Sequence, residues 1–164
     1  MVIIIQFEAV PDPLSPESLQ IQASILNSQP AFNLMVEHKA YLEPLEIRED
    51  NRVNLEMGEK MLYIKAHTGY AGLITYLPDY GQDHHPWIGL LVIHQQYSRQ
   101  GIGKTAVHEL EQMFKQQGLT AVRLAVQLEN KAGEAFWTAN GYVRIRSAMD
   151  NHNNEVDVYE KQFK

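Results

Sequence analysis

The sequence contains no cysteine. This absence excludes disulfide bonds, thiol nucleophiles and cysteine ligands to a metal ion. Chains without disulfides are typical of reducing compartments, so we expect a cytoplasmic protein. Any group transfer by this chain therefore has to proceed without a covalent intermediate on a thiol.

Long hydrophobic runs are also absent. No apolar stretch reaches the roughly 18–20 residues that a membrane-spanning helix needs, so we expect no membrane partner. The apolar start from Met1 to Phe7 is short, carries no basic residue and ends at Glu8. These features favour a β-strand over a signal peptide.

Positive charge is scarce. The chain has 14 lysine and arginine residues against 20 aspartate and glutamate residues, which gives a formal net charge of −6. This balance argues against a nucleic-acid partner, because proteins that bind nucleic acids concentrate basic residues against phosphates. It suits a cationic partner such as an amine.

The spacing typical of metal ligands is missing as well. His84 and His85 are adjacent, so their side chains cannot readily share one ion, and no third ligand stands at a useful spacing. We therefore expect no metal site. Together with Asp79 and Asp83, this pair is more typical of a solvated loop, and His94 is more typical of a structural histidine.

What the chain does have is an ordinary globular composition. It contains 164 residues, of which 45% are apolar and 21% are charged. A chain of this size buries about two thirds of its unfolded surface, which is enough for a full core. Because there is no repeat, linker or low-complexity tract, we expect a single domain over residues 1–164, as a monomer or a homodimer.

The first half of the chain predicts helices followed by a hairpin. Ser15-Pro16-Glu17 is typical of a helix start, with a capping serine, a proline at the first position and an acid in the first turn. Residues 45–58 predict a second helix that a glycine ends. Two strands are predicted at Leu62–His67 and Tyr70–Leu77, around a tight turn at Thr68-Gly69.

The second half alternates strands and helices. Strands are predicted at Trp87–Ile93, Ala121–Leu128, Tyr142–Arg146 and Glu155–Glu160. Helices are predicted from Ile102 to Gly118 and from Ala132 to Gly141. A polar loop is predicted at Pro78–Pro86. This order of elements predicts an α/β fold with a mixed, mostly antiparallel central sheet flanked by helices.

A glycine loop follows the most apolar strand. Gly101-Ile102-Gly103 opens a helix, and the N–H groups at a helix start carry partial positive charge that suits a phosphate. Glycine lets the backbone approach an anion closely, and Arg99 and Lys104 add positive charge. The alternative is a plain strand-to-helix turn with two glycines and no ligand.

Two phosphate-binding motifs match this loop only in part. Ser98 to Thr105 matches a P-loop except at its first glycine, and no later strand ends in the aspartate that magnesium needs. Gly101, Gly103 and Ala106 match the dinucleotide fingerprint, but His94–Gln100 separates them from the strand, and too little chain follows for the larger parallel sheet.

A third motif is matched together with its surroundings. The strand from Trp87 to His94 and the loop Gly101-Ile102-Gly103 are followed downstream by Asn130, by Phe136-Trp137 and by Gly141-Tyr142. In this order they resemble the two signatures of the GNAT superfamily of N-acetyltransferases. The resemblance covers residues 62–146 and reaches the N-terminal third only in the order of elements.

The resemblance implies a fold and an acetyl donor. In that superfamily the central strands splay apart, and acetyl-CoA binds in the gap as a co-substrate. Gly89 would mark the bulge in the central strand, whose exposed backbone pairs with the donor. The residues so implied to bind acetyl-CoA are Leu91, Val92, Ile93, Ser98, Arg99, Gln100, Gly101, Ile102, Gly103, Lys104, Asn130 and Phe136. Asn130 is at the same time a candidate helix cap.

The sequence departs from the superfamily at two positions. Ser98 stands where the loop motif has glutamine or arginine, although backbone contacts dominate there. Trp137 stands where many members carry a tyrosine proposed as general acid, and an indole N–H cannot supply that proton. The resemblance implies direct acetyl transfer to a primary amine, and Trp137 keeps open the alternative of a non-catalytic acyl-CoA sensor.

The sequence identifies neither the acceptor nor the catalytic acid and base. An amine with a pKa of about 10.4 has to lose a proton before it attacks, so a base or a desolvated site is expected. We expect the loop from Asp79 to His85 and the helices from Ser15 to Gly58 to line the acceptor side. These segments carry the acids Glu17, Glu37, Glu43, Glu46, Glu49, Asp50, Asp79 and Asp83 and fewer bases, among them Lys39, Arg48 and Arg52. This excess favours a cationic acceptor such as a small polyamine, an amino-sugar or a peptide amine.

Overall fold

The computed structural model describes residues 4–67 and 69–164. Within these residues, seven strands form one sheet that is accompanied by five α-helices and a short 3-10 turn at Gln95–Tyr97. The strands are β1 (Ile5–Ala9), β2 (Lys60–Ala66), β3 (Gly69–Tyr80), β4 (His85–Ile93), β5 (Ala121–Gln127), β6 (Val143–Met149) and β7 (Glu155–Gln162). The helices are α1 (Pro16–Asn27), α2 (Pro30–Glu37), α3 (Pro44–Glu56), α4 (Ile102–Gln116) and α5 (Lys131–Ala139).

The sheet has the strand order β1-β2-β3-β4-β5-β7-β6. Neighbouring strands are antiparallel except β4 and β5, which run parallel. This confirms the mixed, mostly antiparallel sheet that the order of elements predicts. The sequence pattern does not predict that β7 lies between β5 and β6, because strand order depends on pairing between distant segments.

Helix α1 begins as predicted. The Ser15 side chain accepts a hydrogen bond from the Ser18 N–H at 3.1 Å, and Pro16 takes the first helical position. Such a cap is worth about 1 kcal/mol, because it satisfies a backbone donor that the helix itself leaves free. The buried face of α1, with Leu19 and Ile25, then packs on the sheet.

Helix α2 is not predicted by the sequence pattern. It begins at Pro30 and ends at His38, which adopts a positive φ of 64°. The buried Asn33 amide donates to the carbonyls of Leu26 and Ala40 at 3.0 and 3.1 Å, and so fixes α2 against its neighbours. Proline at the first position was the available signal, but a helix of 8 residues has too few turns to show an apolar period.

The end of α3 sets the start of β2. Gly58 ends the helix as predicted, with a positive φ of 94° that suits glycine. Its N–H donates to the Leu55 carbonyl at 3.0 Å, and the Glu59 N–H donates to the Asn54 carbonyl at 3.1 Å. These two bonds form a Schellman motif, which fixes the direction in which Glu59 leaves the helix.

The hairpin of β2 and β3 is confirmed. Thr68, predicted in its turn, lies outside the described residues, as do residues 1–3 of the strand predicted at the start of the chain. The polar loop predicted over Pro78–Pro86 is wrong at both ends, because Tyr80 of β3 pairs with His85 of β4. Pro78 is tolerated within β3 because it lies where the register shifts, and its missing N–H breaks no regular ladder there.

Strand β4 carries the bulge predicted at Gly89. Thr75 pairs with Leu90 and Tyr76 pairs with Ile88, so Gly89 has no partner on β3. A Cβ on Gly89 would lie 2.9 Å from the Thr75 hydroxyl oxygen and 3.1 Å from a carboxylate oxygen of Glu59. A side chain at this position would therefore displace the Thr75 hydroxyl or the Glu59 carboxylate.

Two buried cores lie on opposite faces of the sheet. Leu73 and Ile74, which are adjacent on β3, point into different cores, as the alternation of a strand requires. Helix α4 covers one core with Leu110 and Phe114, and helix α1 covers the other. Burial of each such side chain contributes roughly 1.5–3 kcal/mol. Among the described residues, no helix combines the length and the apolar character that crossing a bilayer requires.

Candidate functional site

Strands β4 and β5 are joined at one end and separated at the other. Across the described residues, Trp87 opposite Arg123 is the single position at which they pair. The Arg123 guanidinium holds this end together, because it donates to Glu160 at 2.8 Å and to Asp83 at 3.2 Å. Past this point the strands do not pair, and a gap opens between their C-terminal ends.

Alternate residues of β4 direct their backbone into this gap. The N–H of His94 donates to a carbonyl of β3 at 2.8 Å. Because successive residues of a strand bond to opposite sides, Val92 also bonds toward β3, whereas Leu91 and Ile93 face the gap. The Ile93 carbonyl accepts a hydrogen bond from the Gln29 amide at 2.8 Å. The gap is therefore lined by the backbone of Leu91 and by the N–H of Ile93.

The glycine loop leads from β4 into α4. Arg99 and Gly101 adopt positive φ angles of 62° and 77°, and Gly101 caps the helix without a side chain. The N–H groups of Ile102, Gly103 and Lys104 therefore have no acceptor within the helix. Outward N–H groups at the positive end of a helix of 15 residues are free to donate hydrogen bonds to an anion such as a phosphate.

Other residues implied by the sequence meet at the start of α4. A Cβ on Gly103 would lie 3.4 Å from the Phe136 ring and 3.7 Å from the Ile93 side chain. Phe136 belongs to α5, and Asn130 caps that helix by accepting a hydrogen bond from the Gly133 N–H at 2.9 Å. The end of β4, the glycine loop and α5 thus come together beside the gap. The side chains of Arg99, Gln100 and Lys104 are exposed there, and Ser98 is partly buried.

A cleft of about 650 Å³ adjoins the same gap. Its lining includes Leu90 on β4 and Gln127 on β5, which lie on the two sides of the gap. Residues of α1, α2 and α3 line it on one side, and the loop between β6 and β7 lines it at Asp150 and His152. A ligand in the cleft can therefore reach the unpaired part of β4.

The sequence profile of a known family decides the assignment. The model described as the acetyltransferase (GNAT) family matches residues 26–142. This chain belongs to the acetyltransferase (GNAT) family. It is accordingly an N-acetyltransferase. No curated protein matches the chain in sequence.

Solved structures of acetyltransferases share this fold. An acetyltransferase from Thermus thermophilus has 15% identity and a TM-score of 0.76, over 99% of this chain and 100% of that one. The PaiA N-acetyltransferase of Thermoplasma acidophilum, solved in complex with coenzyme A, has 19% identity and a TM-score of 0.66, over 99% and 100%. A Salmonella typhimurium acetyltransferase that modifies the N-terminal serine of a 50S ribosomal subunit protein has 14% identity and a TM-score of 0.76, over 98% and 95%. At these identities the likeness shows the fold alone.

In this acetyltransferase, Trp137 is a packing residue. Its ring lies between those of Phe136 and Tyr142, at centroid distances of 5.0 and 5.1 Å. The Tyr142 hydroxyl donates to the buried Glu111 carboxylate at 2.8 Å, and Lys161 donates to the same carboxylate at 2.9 Å. Burial, reinforced by the charge of Glu111, raises the pKa of Tyr142. Neither ring offers a readily released proton.

Two of the acids predicted on the acceptor side line the cleft of the enzyme. They are Glu37 and Asp50, and burial raises the pKa of both carboxyls. Asp150 adds a third acid from the β6–β7 loop. Burial opposes its ionisation, but hydrogen bonds from Asn154 and from the His152 N–H outweigh burial and hold the pKa of Asp150 below its usual range.

The same loop contacts α2 along one side of the cleft. The Asn154 amide donates to the Val36 carbonyl at 3.0 Å. A ring nitrogen of His38 lies 3.0 Å from the His152 carbonyl, and the His152 ring lies 3.4 Å from Glu37. These contacts join the two segments, so the cleft is closed where they meet.

The predicted solvated loop is wrong for Asp83. This carboxylate accepts a hydrogen bond from the Trp87 indole at 2.9 Å and pairs with Arg123, so it secures the joined end of β4 and β5. Asp79 pairs at the surface with His84 at 3.6 Å. Within the described residues, no three acids or histidines come close enough to hold a metal ion.

Other predicted side chains also have structural partners. The ring of His94 accepts a hydrogen bond from the Gln96 N–H at 3.1 Å, which agrees with a structural role. Glu46 pairs with Lys39 and Glu49 pairs with Arg52, both at the exposed surface of α3. These acids therefore balance nearby bases and do not line the cleft.

The sequence pattern does not single out Glu59, which the fold places in the cleft. Its carboxylate reaches the β4 bulge, where it approaches both Thr75 and Gly89. Burial raises the pKa of Glu59 to about 7, although the neighbouring Thr75 hydroxyl offsets part of this effect. A glutamate after a helix-ending glycine carries no catalytic signal in a sequence. Only the register of β2 on β3 and the bulge in β4 bring it to this position.

Proposed function

We propose that this enzyme transfers an acetyl group from acetyl-CoA to a primary amine by direct attack. The observation that carries the proposal is the gap between β4 and β5, which opens both onto the glycine loop and onto the cleft. A donor held by the loop and an acceptor held in the cleft can meet at the same stretch of β4. Because the chain has no cysteine, the acetyl group has no thiol on the protein to pass through.

The donor site is proposed at the residues implied by the sequence. The N–H groups of Ile102, Gly103 and Lys104 would hold the pyrophosphate, and Arg99 would add positive charge beside it. The absence of a side chain at Gly103 keeps space between the loop, Ile93 and Phe136. The remaining implied residues support this site from the loop, the strand and the helix cap. They are Ser98, Gln100 and Gly101 in the loop, Val92 on β4 and Asn130 at the start of α5. The coenzyme A bound to the Thermoplasma acidophilum enzyme supports the choice of donor.

The backbone of β4 is proposed to orient the acetyl end. The N–H and C=O of Leu91 and the N–H of Ile93 would pair with the amides of the donor in place of the missing β5 partner. Acetyl-CoA supplies an acetyl group activated as a thioester. An N–H fixed in the strand can donate to the acetyl oxygen as negative charge develops there, which lowers the barrier without reorganisation.

The acceptor is proposed to be a cationic amine. Four carboxylates line the cleft together with apolar side chains such as Phe32 and Met61; they are those of Glu37, Asp50, Glu59 and Asp150. These surroundings suit a small polyamine, an amino-sugar or a peptide amine, since acids attract the ammonium group and apolar surface packs against its carbon chain. The Salmonella typhimurium enzyme, which modifies an N-terminal serine, supports a peptide amine among these.

Two measurements test the proposal. In calorimetry, acetyl-CoA and CoA should bind, and ATP and NAD should not bind. In a screen of amines, release of free CoA thiol should depend on the amine. Tighter binding of ATP or NAD than of CoA would contradict the donor, and thiol release that ignores the amine would contradict direct transfer.

A further inference from the structure

We propose that Glu59 is the general base that takes the proton from the attacking amine. This inference rests on the proposed function, because it names the residue that prepares the acceptor for acetyl transfer. The observation that supports this inference is the position of the Glu59 carboxylate in the cleft, beside the bulge at Gly89 and next to the unpaired end of β4.

The bulge brings Glu59 close to the acceptor side of the gap. A carboxylate oxygen of Glu59 lies 3.1 Å from the position that a Cβ on Gly89 would take. Gly89 immediately precedes Leu90 and Leu91, at the start of the segment whose backbone is not paired with β5. The carboxylate therefore lies where the cleft meets this segment, since Glu59, Gly89 and Leu90 line the same cleft.

The surrounding structure holds Glu59 in place from two sides. Its backbone is fixed by the Schellman motif at the end of α3, through the hydrogen bond of its N–H to the Asn54 carbonyl at 3.1 Å. Its side chain lies against the Thr75 hydroxyl, and Thr75 is itself 2% exposed. Because Gly89 has no side chain, no Cβ occupies the space beside this carboxylate oxygen.

The other ionisable groups of the cleft do not perturb the pKa of Glu59. Those groups are Glu37, Asp50, Tyr80, Arg146, Asp150 and His152. None of them contributes to the shift in the pKa of Glu59, which comes from burial and from Thr75. With a pKa of about 7, this carboxyl is ionised in a large fraction of molecules near neutral pH, as a general base has to be.

The proposed step conserves atoms and charge. The Glu59 carboxylate removes one proton from the ammonium group of the acceptor and becomes a carboxylic acid. The free nitrogen lone pair attacks the acetyl carbon, so that a carbon–nitrogen bond forms and the carbon–sulfur bond breaks. The thiolate that leaves takes the second proton from the nitrogen, and Glu59 returns its proton to solvent.

The test compares Glu59→Gln with Glu56→Gln. Glutamine keeps the shape of the side chain and cannot accept the proton. Glu56 lies three residues earlier, is exposed, and pairs with Arg52 at 3.0 Å away from the cleft, so its variant is a matched control. We expect Glu59→Gln to lower kcat/KM by about 100-fold or more near neutral pH, and Glu56→Gln to retain the wild-type value.

The pH profile distinguishes a base from a structural residue. The wild-type rate should rise with pH through about 7, as Glu59 ionises. In Glu59→Gln that limb should vanish, and the rate should keep rising toward the pKa of the free amine, where the acceptor loses its proton unaided. CoA affinity, measured by calorimetry, should be unchanged in both variants.

Two results would overturn the proposal, and they are separable. A folded Glu59→Gln enzyme that keeps the wild-type kcat and the same limb near pH 7 rejects the role of Glu59 and leaves acetyl transfer standing. A wild-type enzyme that binds CoA but releases no thiol with any amine rejects the proposed function, and the role of Glu59 with it.

Discussion

Gly101 and Gly118 lie at the two ends of α4 with similar backbone angles, φ of 77° and 81°. A Cβ on either would meet no atom within 4 Å, so an alanine there adds strain without a collision. We expect Gly101→Ala and Gly118→Ala each to lower the free energy of unfolding by about 1–2 kcal/mol, measured by urea titration. Only Gly101→Ala should weaken CoA binding, because only Gly101 sets the direction of the N–H groups in the loop.

A larger side chain at Gly103 should act on binding by a different route. Its Cβ would lie 3.4 Å from the Phe136 ring, so valine would occupy the space between the loop and α5. We expect Gly103→Val to lower CoA affinity by at least about tenfold, which corresponds to about 1.4 kcal/mol in calorimetry. Wild-type affinity in a variant whose circular dichroism is unchanged would show that the donor binds elsewhere.

Trp137 should affect stability more than chemistry. Its ring is held between Phe136 and Tyr142, so both Trp137→Phe and Trp137→Tyr should lose packing while the pH–rate profile keeps its shape. Rate measurements across the acidic and basic limbs of the profile check this. A new basic limb together with a large gain in rate in Trp137→Tyr would instead show that a general acid was limiting.

The raised pKa of Glu59 also predicts a dependence of stability on pH. Its carboxyl has a pKa of about 7 in the folded chain against an ordinary value of 4.5, so the folded state binds the proton more tightly. The resulting stabilisation is complete below pH 4.5 and is lost as pH rises through 7. Glu59→Gln should remove this loss and be more stable than wild type at about pH 8 by about 1–2 kcal/mol, less than the full linkage value because the group is partly solvated. Urea titrations at about pH 5 and pH 8 measure it, with Glu56→Gln keeping the wild-type slope.

At the scale of elements, the ends marked by caps could be predicted from the sequence. Ser15, Gly58 and Gly118 act on their own neighbours through hydrogen bonds and backbone angles, so their signal is local. The ends of the loop at Pro78–Pro86 could not be predicted, because they depend on the pairing of Tyr80 with His85 across two strands. Helix α2 has a proline start but too few residues to show a period.

The cap at Gly58 should matter for catalysis as well as for stability. Gly58→Ala places a Cβ on a residue with φ of 94°, so the Schellman motif should weaken and unfolding should become easier by about 1–2 kcal/mol. Because the motif fixes Glu59, kcat/KM should fall too, whereas Gly118→Ala should lose only stability. Equal activity in the two variants at a temperature where both remain folded would show that Glu59 does not depend on this cap.

At the scale of the whole molecule, the charge balance predicts a response to salt. The chain has a net charge of −6, and its cleft is lined by more acids than bases. For a cationic acceptor, kcat/KM should fall as ionic strength rises, because salt screens attraction between solvent-exposed charges. Initial rates from about 0.02 to 0.5 M salt, with an uncharged amine as control, measure this. A preference for acidic acceptors would contradict it.

The parts of the site that could be predicted are those contained in one stretch of chain. The bulge at Gly89, the glycine loop and the Asn130 cap are each recognisable within a few residues. The acceptor cleft is different, since Glu37, Asp150 and Glu59 come from three distant segments. No local pattern shows that such residues share a surface. They meet only through the pairing of strands and the packing of α2 against the β6–β7 loop.

The contact between α2 and the β6–β7 loop has a consequence for the order of folding. Val36 and Asn154, which it joins, stand 118 positions apart in the chain. We expect contacts between such distant segments to form late, because closing a long stretch of chain costs more entropy than closing a short one. A chain refolding from urea should therefore regain helix signal before this side of the cleft closes. Acetyl transfer would then be the last property to return. The delay between recovery of the circular dichroism signal and recovery of activity would measure how long the cleft takes to close.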